Sequence, residues 1–311
     1  MSEPRRTAES GIVNAMSVDV EDYFQVSAFD TVVSRASWDT HESRVVQNTG
    51  RLLDLFARHG VRATFFVLGW VAERFPALVR DIAGRGHEIA SHGYHHQLLY
   101  TLTPEEFRED VRSAKAALES ASGGAVVGYR APSFSIINSS LWALDVLMEE
   151  GYSYDASIFP VHHDRYGIPD AKRHVHRLDR TAGPIIEVPA STVRLGGVNL
   201  PIAGGGYFRL LPYAWTRWGM GRVNRAEGQP VVFYVHPWEI DPDQPRFDVG
   251  AATRIRHYTG LRSTMPRLER LLSDFRFDSI AGLLKLPDTV RPKADTASAG
   301  HRKKTSGDAA A

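Results

Sequence analysis

Short continuous apolar runs recur along the chain, separated by segments in which apolar residues return every three or four positions. Ile12 to Val20, Val61 to Leu68 (VRATFFVL), Glu88 to Ser91, Val126 to Arg130 and Val231 to Val235 (VVFYV) are short and rich in β-formers, and such runs predict buried strands. Between them, Gly50 to His59 sets Leu52, Leu53 and Phe56 on one helical face before Gly60 stops the helix. Pro76 to Ile82 predicts a helix closed by Gly84 and Gly86, and Ser139 to Glu150 predicts another. Thr103-Pro104-Glu105-Glu106 opens a helix running towards Glu119, with an N-cap, a proline at the first helical position and acids in the first turn. This alternation predicts a mostly parallel sheet with helices outside it.

Gly183 to Pro212 breaks the alternation with many Gly and Pro residues, and reads as an inserted loop and strand region. Its Gly204-Gly205-Gly206 run lacks the Lys-Ser/Thr ending of a phosphate loop. It marks tight turns or a close backbone approach to a sugar. Residues 1–10 predict a flexible N-terminus, residues 11–286 the folded unit, and residues 287–311, rich in Lys, Ser, Thr, Ala and Gly, a disordered tail.

Composition narrows the function. Lys plus Arg (37) nearly balances Asp plus Glu (36), so a net charge of +1 gives no reason to expect nucleic acid as a partner. The absence of cysteine excludes disulfides, thiolate metal sites and a cysteine nucleophile. With no signal peptide or transmembrane run visible, the expected address is the cytoplasm.

Four clusters of reactive residues fall at or just beyond the ends of predicted strands, the rim where parallel barrels carry their active sites. Asp19-Val20-Glu21-Asp22 crowds carboxylates at a strand end, a repulsion that a cation relieves; a solvated acidic turn is the plain alternative. In Ser91-His92-Gly93-Tyr94-His95-His96, one helical turn would set the imidazoles of His92 and His96 about 5–6 Å apart on one face. Two histidines and one carboxylate leave open positions, which suits a catalytic divalent metal. Arg130, in Tyr129-Arg130-Ala131-Pro132-Ser133-Phe134, can grip a carboxylate bidentately or make an ordinary surface ion pair. His236, in Val235-His236-Pro237-Trp238-Glu239, suits a general acid for a leaving amine, with Trp238 restricting its exposure. Asp155 could orient His236 or cap a turn. Tyr207, beside the glycine run, and Tyr23, Phe24, Trp215 and Trp218 could line a sugar groove or pack in the core.

In this order the clusters resemble the polysaccharide deacetylase family (carbohydrate esterase family 4, the NodB homology domain) over about Val13 to Glu239. The resemblance implies an α/β fold, a distorted (β/α) barrel of about seven parallel strands with an irregular C-terminal extension. It also implies a divalent metal, usually zinc, and a glycan substrate bearing N-acetylated amino sugars. Asp19 would be the base held by Arg130, and His236 the acid supported by Asp155. An N–H near Ser133 would face the oxyanion, with Phe134, Tyr207 and Trp238 as further substrate contacts. The family commonly has two adjacent aspartates, but Val20 follows Asp19 here, so the carboxylate ligand is Glu21 or Asp22. Strand alternation favours Glu21. Ser17 to Phe29, Leu200 to Pro212 and His236 to Glu239 resemble the branch associated with exosortase-type (PEP-CTERM) exopolysaccharide loci, which implies association with membrane exopolysaccharide machinery. Two other readings compete: a hydrolase of a small non-glycan amide, and a non-catalytic glycan-binding or scaffold protein.

Overall fold

The computed structural model describes residues 11–287. The expected N-terminus 1–10, and the expected tail apart from Pro287, lie outside the described residues.

Strand β1 (Val13–Val20) is buried on both faces from Asn14 onward, as a strand covered by helices on one side and a barrel interior on the other must be. Helix α1 (Val45–His59) buries Leu52, Leu53, Leu55 and Phe56, and Gly60 ends it with φ 62°. It starts five residues earlier than its apolar stripe predicts. β2 (Thr64–Val67) leads to α2 (Gly69–Arg74) and α3 (Pro76–Gly84), then to β3 (Glu88–Ser91). Helix α4 (Pro104–Ser122) has the expected N-cap at Thr103, which the structure extends to a capping box, with Thr103 and Glu106 each bonding the other's backbone N–H. The strands β4 (Gly128–Tyr129) and β5 (Tyr154–Asp155) flank α5 (Ala143–Glu149).

The irregular region resolves into two hairpins, β6 (His176–Arg180) with β7 (Gly183–Glu187) and β8 (Thr192–Leu195) with β9 (Val198–Pro201), followed by α6 (Gly205–Leu210). Helix α7 (Tyr213–Ala226) and β10 (Val232–Val235) follow. The chain then forms α8 (Ala251–Tyr258), α9 (Leu261–Asp274), β11 (Arg276–Asp278) and α10 (Ile280–Leu284).

Seven strands run parallel in the order β10-β1-β2-β3-β4-β5-β7, with β6 antiparallel at the edge and β11 paired to the start of β1. Between β7 and β10 the barrel is bridged by loop contacts instead of a ladder. Ser191 Oγ accepts from Val232 N, and Ala203 O accepts from Tyr234 N. The main core lies between sheet and helices, while small residues such as Ala15, Ala90 and Ala156 make room inside the barrel for Phe66 and Tyr154. Register pairs Val20 with Val67, Val67 with Ser91, and Tyr129 with Asp155, so the strands' carboxyl ends share one rim.

Candidate active site

At that rim β1 turns Ser17 and Asp19 towards Arg130, which leaves the end of β4. Arg130 Nη1 donates to Ser17 Oγ at 2.8 Å and to Asp19 Oδ1 at 2.6 Å, and Nε donates to Ala156 O at 3.1 Å. The guanidinium lies 4.1 Å above the Phe66 ring and is 1% exposed. A charge buried this deeply survives only because it is paired and hydrogen-bonded. The base proposed from sequence is therefore fixed in orientation, leaving Oδ2 to face the site.

The histidine segment differs from the helical turn that its spacing suggested. It is a loop in which Gly93 and His96 both have positive φ, 74° and 52°. Asp110 of α4 accepts the backbone N–H groups of Tyr94 and His95, which satisfies donors that a helix would otherwise have to cap. Burial pushes the Asp110 carboxyl up to about 6. The loop still brings the His92 and His96 rings to 5.3 Å between centroids. His92 Nδ1 donates to Arg130 O at 2.8 Å, which turns Nε2 inward. Burial holds the His92 imidazole down at about 4, so it stays neutral.

Glu21 completes the cluster. One ligand atom from each of Glu21, His92 and His96 lies within 4.8 Å of the other two, and all three residues are buried. Glu21 Oε2 is 2.6 Å from His96 Nε2, yet it has no well-directed hydrogen bond among the described residues, and neither does His96 Nδ1. Burial alone would raise the Glu21 carboxyl, but the imidazoles of His96 and His236 outweigh it and hold the group well below the usual range. Two imidazole nitrogens and one ionised carboxylate fit a divalent ion with open positions, and zinc accepts that donor set.

Opposite the cluster stands His236, just past β10. Its Nε2 is 3.7 Å from both Asp19 Oδ2 and Glu21 Oε1, and its Nδ1 is 3.1 Å from Glu239 Oε2. Burial would lower this imidazole, but Glu239, Glu21 and Asp19 together raise it to about 9. Glu239 is held down at about 2, because His236 and Arg209 outweigh the effect of its burial.

Several expected contacts change. Asp22 turns away from the cluster: its Oδ2 accepts from Ser43 Oγ at 2.6 Å and from the N–H groups of Arg44 and Val45, at the entrance to α1. Of the two carboxylates left open by the sequence, Glu21 is the one brought to the histidines. Asp155 does not meet His236 either. It accepts from Ser157 N and Ser157 Oγ, and Ser157 Oγ in turn accepts from Ala131 N, so Asp155 braces the loop after Arg130. The carboxylate beside His236 is Glu239. It sits three residues on in the same motif, where a short 3-10 turn begins at Pro237 and folds it back.

Ser133 and Phe134 both have positive φ (52° and 54°), and the Ser133 hydroxyl lies 2.7 Å from that of Ser27. Phe134 packs into an aromatic cluster with Phe159, Tyr166 and Tyr234, and Tyr207 joins it through a 3.2 Å contact between its hydroxyl and that of Tyr166. Trp238 is no open sugar platform. It is 5% exposed, stacks on His257 at 4.2 Å and on His236 at 5.2 Å, and donates its indole N–H to Glu21 Oε1 at 3.0 Å. Tyr23 and Phe24 are core residues. Trp215 and Trp218 meet at a tilted angle along α7, with centroids 5.2 Å apart, and Trp215 donates to Pro201 O.

Residues 29–152 match the family model described as polysaccharide deacetylase, and residues 156–285 match one described as a domain of unknown function, DUF3473. The peptidoglycan-N-acetylglucosamine deacetylase of Bacillus cereus is 33% identical over 119 residues, 34% of this chain and 43% of that protein. The chitooligosaccharide deacetylase of Rhizobium leguminosarum bv. trifolii is 35% identical over 114 residues, 37% of this chain and 49% of that protein. The matched segments thus span less than half the length of either relative. In fold the chain is similar to Puue allantoinase, with a TM-score of 0.60 and 14% identity over 91% of this chain and 93% of that one. It is also similar to a candidate polysaccharide deacetylase from Mycobacterium smegmatis, with a TM-score of 0.58 and 21% identity over 92% of each chain. The two matched stretches, the first similar to polysaccharide deacetylases and the second to DUF3473, contribute strands to one sheet.

Proposed function

We propose that this protein is a metal-dependent hydrolase that removes N-acetyl groups from amino sugars of a glycan. One observation carries the reading: a base candidate, Asp19, and an acid candidate, His236, converge to 3.7 Å beside a buried Glu21–His92–His96 donor set. A divalent ion there, zinc by the donor chemistry, would lower the pKa of a water and polarise an acetyl carbonyl. Asp19, oriented by Arg130, would take the proton from the attacking water. His236, protonated on Nε2 and held through Nδ1 by Glu239, would give its proton to the departing sugar amine as the C–N bond breaks. Acetate and the free amine are the products.

The matched relatives named for peptidoglycan N-acetylglucosamine and for chitooligosaccharides support a glycan carrying N-acetylglucosamine. The segments resembling the exosortase-associated branch support a role in exopolysaccharide synthesis, with a cytoplasmic precursor and docking on membrane machinery as parts of the same proposal. Among the described residues no helix is long and apolar enough to cross a membrane. Acetate release from N-acetylglucosamine oligomers, set against loss of small linear and cyclic amides by C–N hydrolysis, tests the substrate class. Acetate from the oligomers is expected, and turnover of the small amides alone would move the activity to the competing reading.

A further inference from the structure

The region of unknown function does more than enclose the barrel. Arg209, on α6, is buried at 4% exposure and spends four of its N–H groups in two directions. Nε donates to Glu239 Oε1 at 2.7 Å. Nη1 donates to His257 O and Thr259 O at 2.8 Å each, and Nη2 donates to Arg256 O at 2.9 Å. Those carbonyls belong to the end of α8 and its exit, where a helix leaves acceptors unsatisfied, and a planar guanidinium suits such a cluster. The guanidinium also lies 5.1 Å over the Trp238 ring.

The glycine run puts Arg209 there. Gly204 (φ 126°) and Gly205 (φ 54°) lie so close to Tyr234 of β10 that a Cβ on either would collide with it. They let α6 begin against the strand that delivers His236. Gly260, with φ 82°, makes a similar close approach to the Arg209 backbone from the α8 side.

Resting on the deacetylase reading, we propose that Arg209 is a positioning residue for the reaction, acting through Glu239 on His236. The 156–285 region would thereby supply the acid half of the site. Glu239 is held on both oxygens, Oε1 by Arg209 and Oε2 by the His236 backbone N–H at 3.0 Å, so it has one place to stand. From that place it fixes Nδ1 of His236 at 3.1 Å and leaves Nε2 aimed at the site. Without the guanidinium, the carboxylate loses one of its two cationic partners and the hydrogen bond that fixes Oε1, and no longer sets the imidazole in one place.

The test compares Arg209→Gln, Glu239→Gln and the double variant in the zinc-loaded protein. Two quantities are read: kcat and KM for acetate release from N-acetylglucosamine oligomers, and the downfield proton resonance of the His236 Nδ1–H. Each single variant is expected to lose about 10²-fold in kcat, the scale of a misplaced reacting group, with KM and zinc content little changed. The double variant is expected to lose no more than Glu239→Gln alone, and both single variants lose the resonance. Arg209→Lys, which keeps the charge without the fork, is expected to recover part of both signals and serves if Arg209→Gln does not fold. Losses that multiply in the double variant, or a resonance unchanged in Arg209→Gln, would overturn the proposal. A resonance that behaves as expected in a protein releasing no acetate would uphold the positioning role and sink the deacetylase reading instead.

Discussion

The indole N–H of Trp238 donates to Glu21 Oε1 at 3.0 Å, tying the C-terminal region to the carboxylate of the candidate metal cluster. The bond leaves Oε2 facing His96, so the rotamer of Glu21 is set by a side chain far along the sequence. Trp238→Phe would keep the stack between His236 and His257 but lose the donor. Supporting hydrogen bonds of this kind are worth about 10–100-fold in metal affinity. A loss of that size, read by competition with a chromophoric chelator, is the expected result; wild-type affinity would show that Glu21 needs no such support.

Asp19 is paired to Arg130 and stands outside the three-residue donor cluster. Asp19→Asn keeps its shape but cannot accept the water's proton. Turnover is expected to fall by at least about 10²-fold, as when a general base is lost, while metal content stays at the wild-type level. Loss of the metal in this variant would make Asp19 a ligand.

His236 must be protonated to donate, so activity should decline as pH rises through its pKa. Glu239 is the largest of the anionic influences that raise that pKa against burial. In Glu239→Gln the imidazole deprotonates at lower pH, and the alkaline limb of kcat moves down the scale. A limb that stays in place would assign it to another group.

Fold stability offers a check away from the site. His87 is buried against Phe56 and Phe65, accepts the Ala63 N–H on Nδ1, and is held down at about 4 by burial, from an ordinary value of 6.5. Below pH 6.5 the unfolded chain takes up a proton that the native state refuses until about 4. This contribution to stability is therefore present above 6.5 and lost as pH falls through that window. His87→Asn keeps an acceptor but does not titrate, so denaturant unfolding between pH 6.5 and 4 should depend less steeply on pH. An unchanged slope would place the acid sensitivity elsewhere.

Much of the framework was legible because its signals are local. The bounds of β3, the N-cap and first-turn proline of α4 and the stop at Gly60 are written in adjacent residues. The early start of α1 was not, since Asp22 satisfies its first donors from across a loop. The spacing of His92 and His96 gave their proximity but not their backbone, because a positive φ at His96 and capture by Asp110 arise from tertiary contacts. Pairing Asp155 with His236 could not be judged from sequence: β5 directs that carboxylate to Ser157, while Glu239 reaches His236 by a turn within its own motif. Arg209 left no sequence signal, although the glycine run that positions it did. The stripe Leu261, Leu268, Leu271 and Leu272 of α9 was present to be read at helical spacing, but Pro266 interrupts it.

The central claim is that Glu21, His92 and His96 hold an ion on which hydrolysis depends. Its most direct test is elemental analysis of the purified protein alongside acetate release from N-acetylglucosamine oligomers, before chelation, after it and after zinc is restored. The account predicts about one ion per chain, the stoichiometry of a mononuclear catalytic site, with release abolished by the chelator and recovered with zinc. Acetate release that persists in metal-free protein would contradict it.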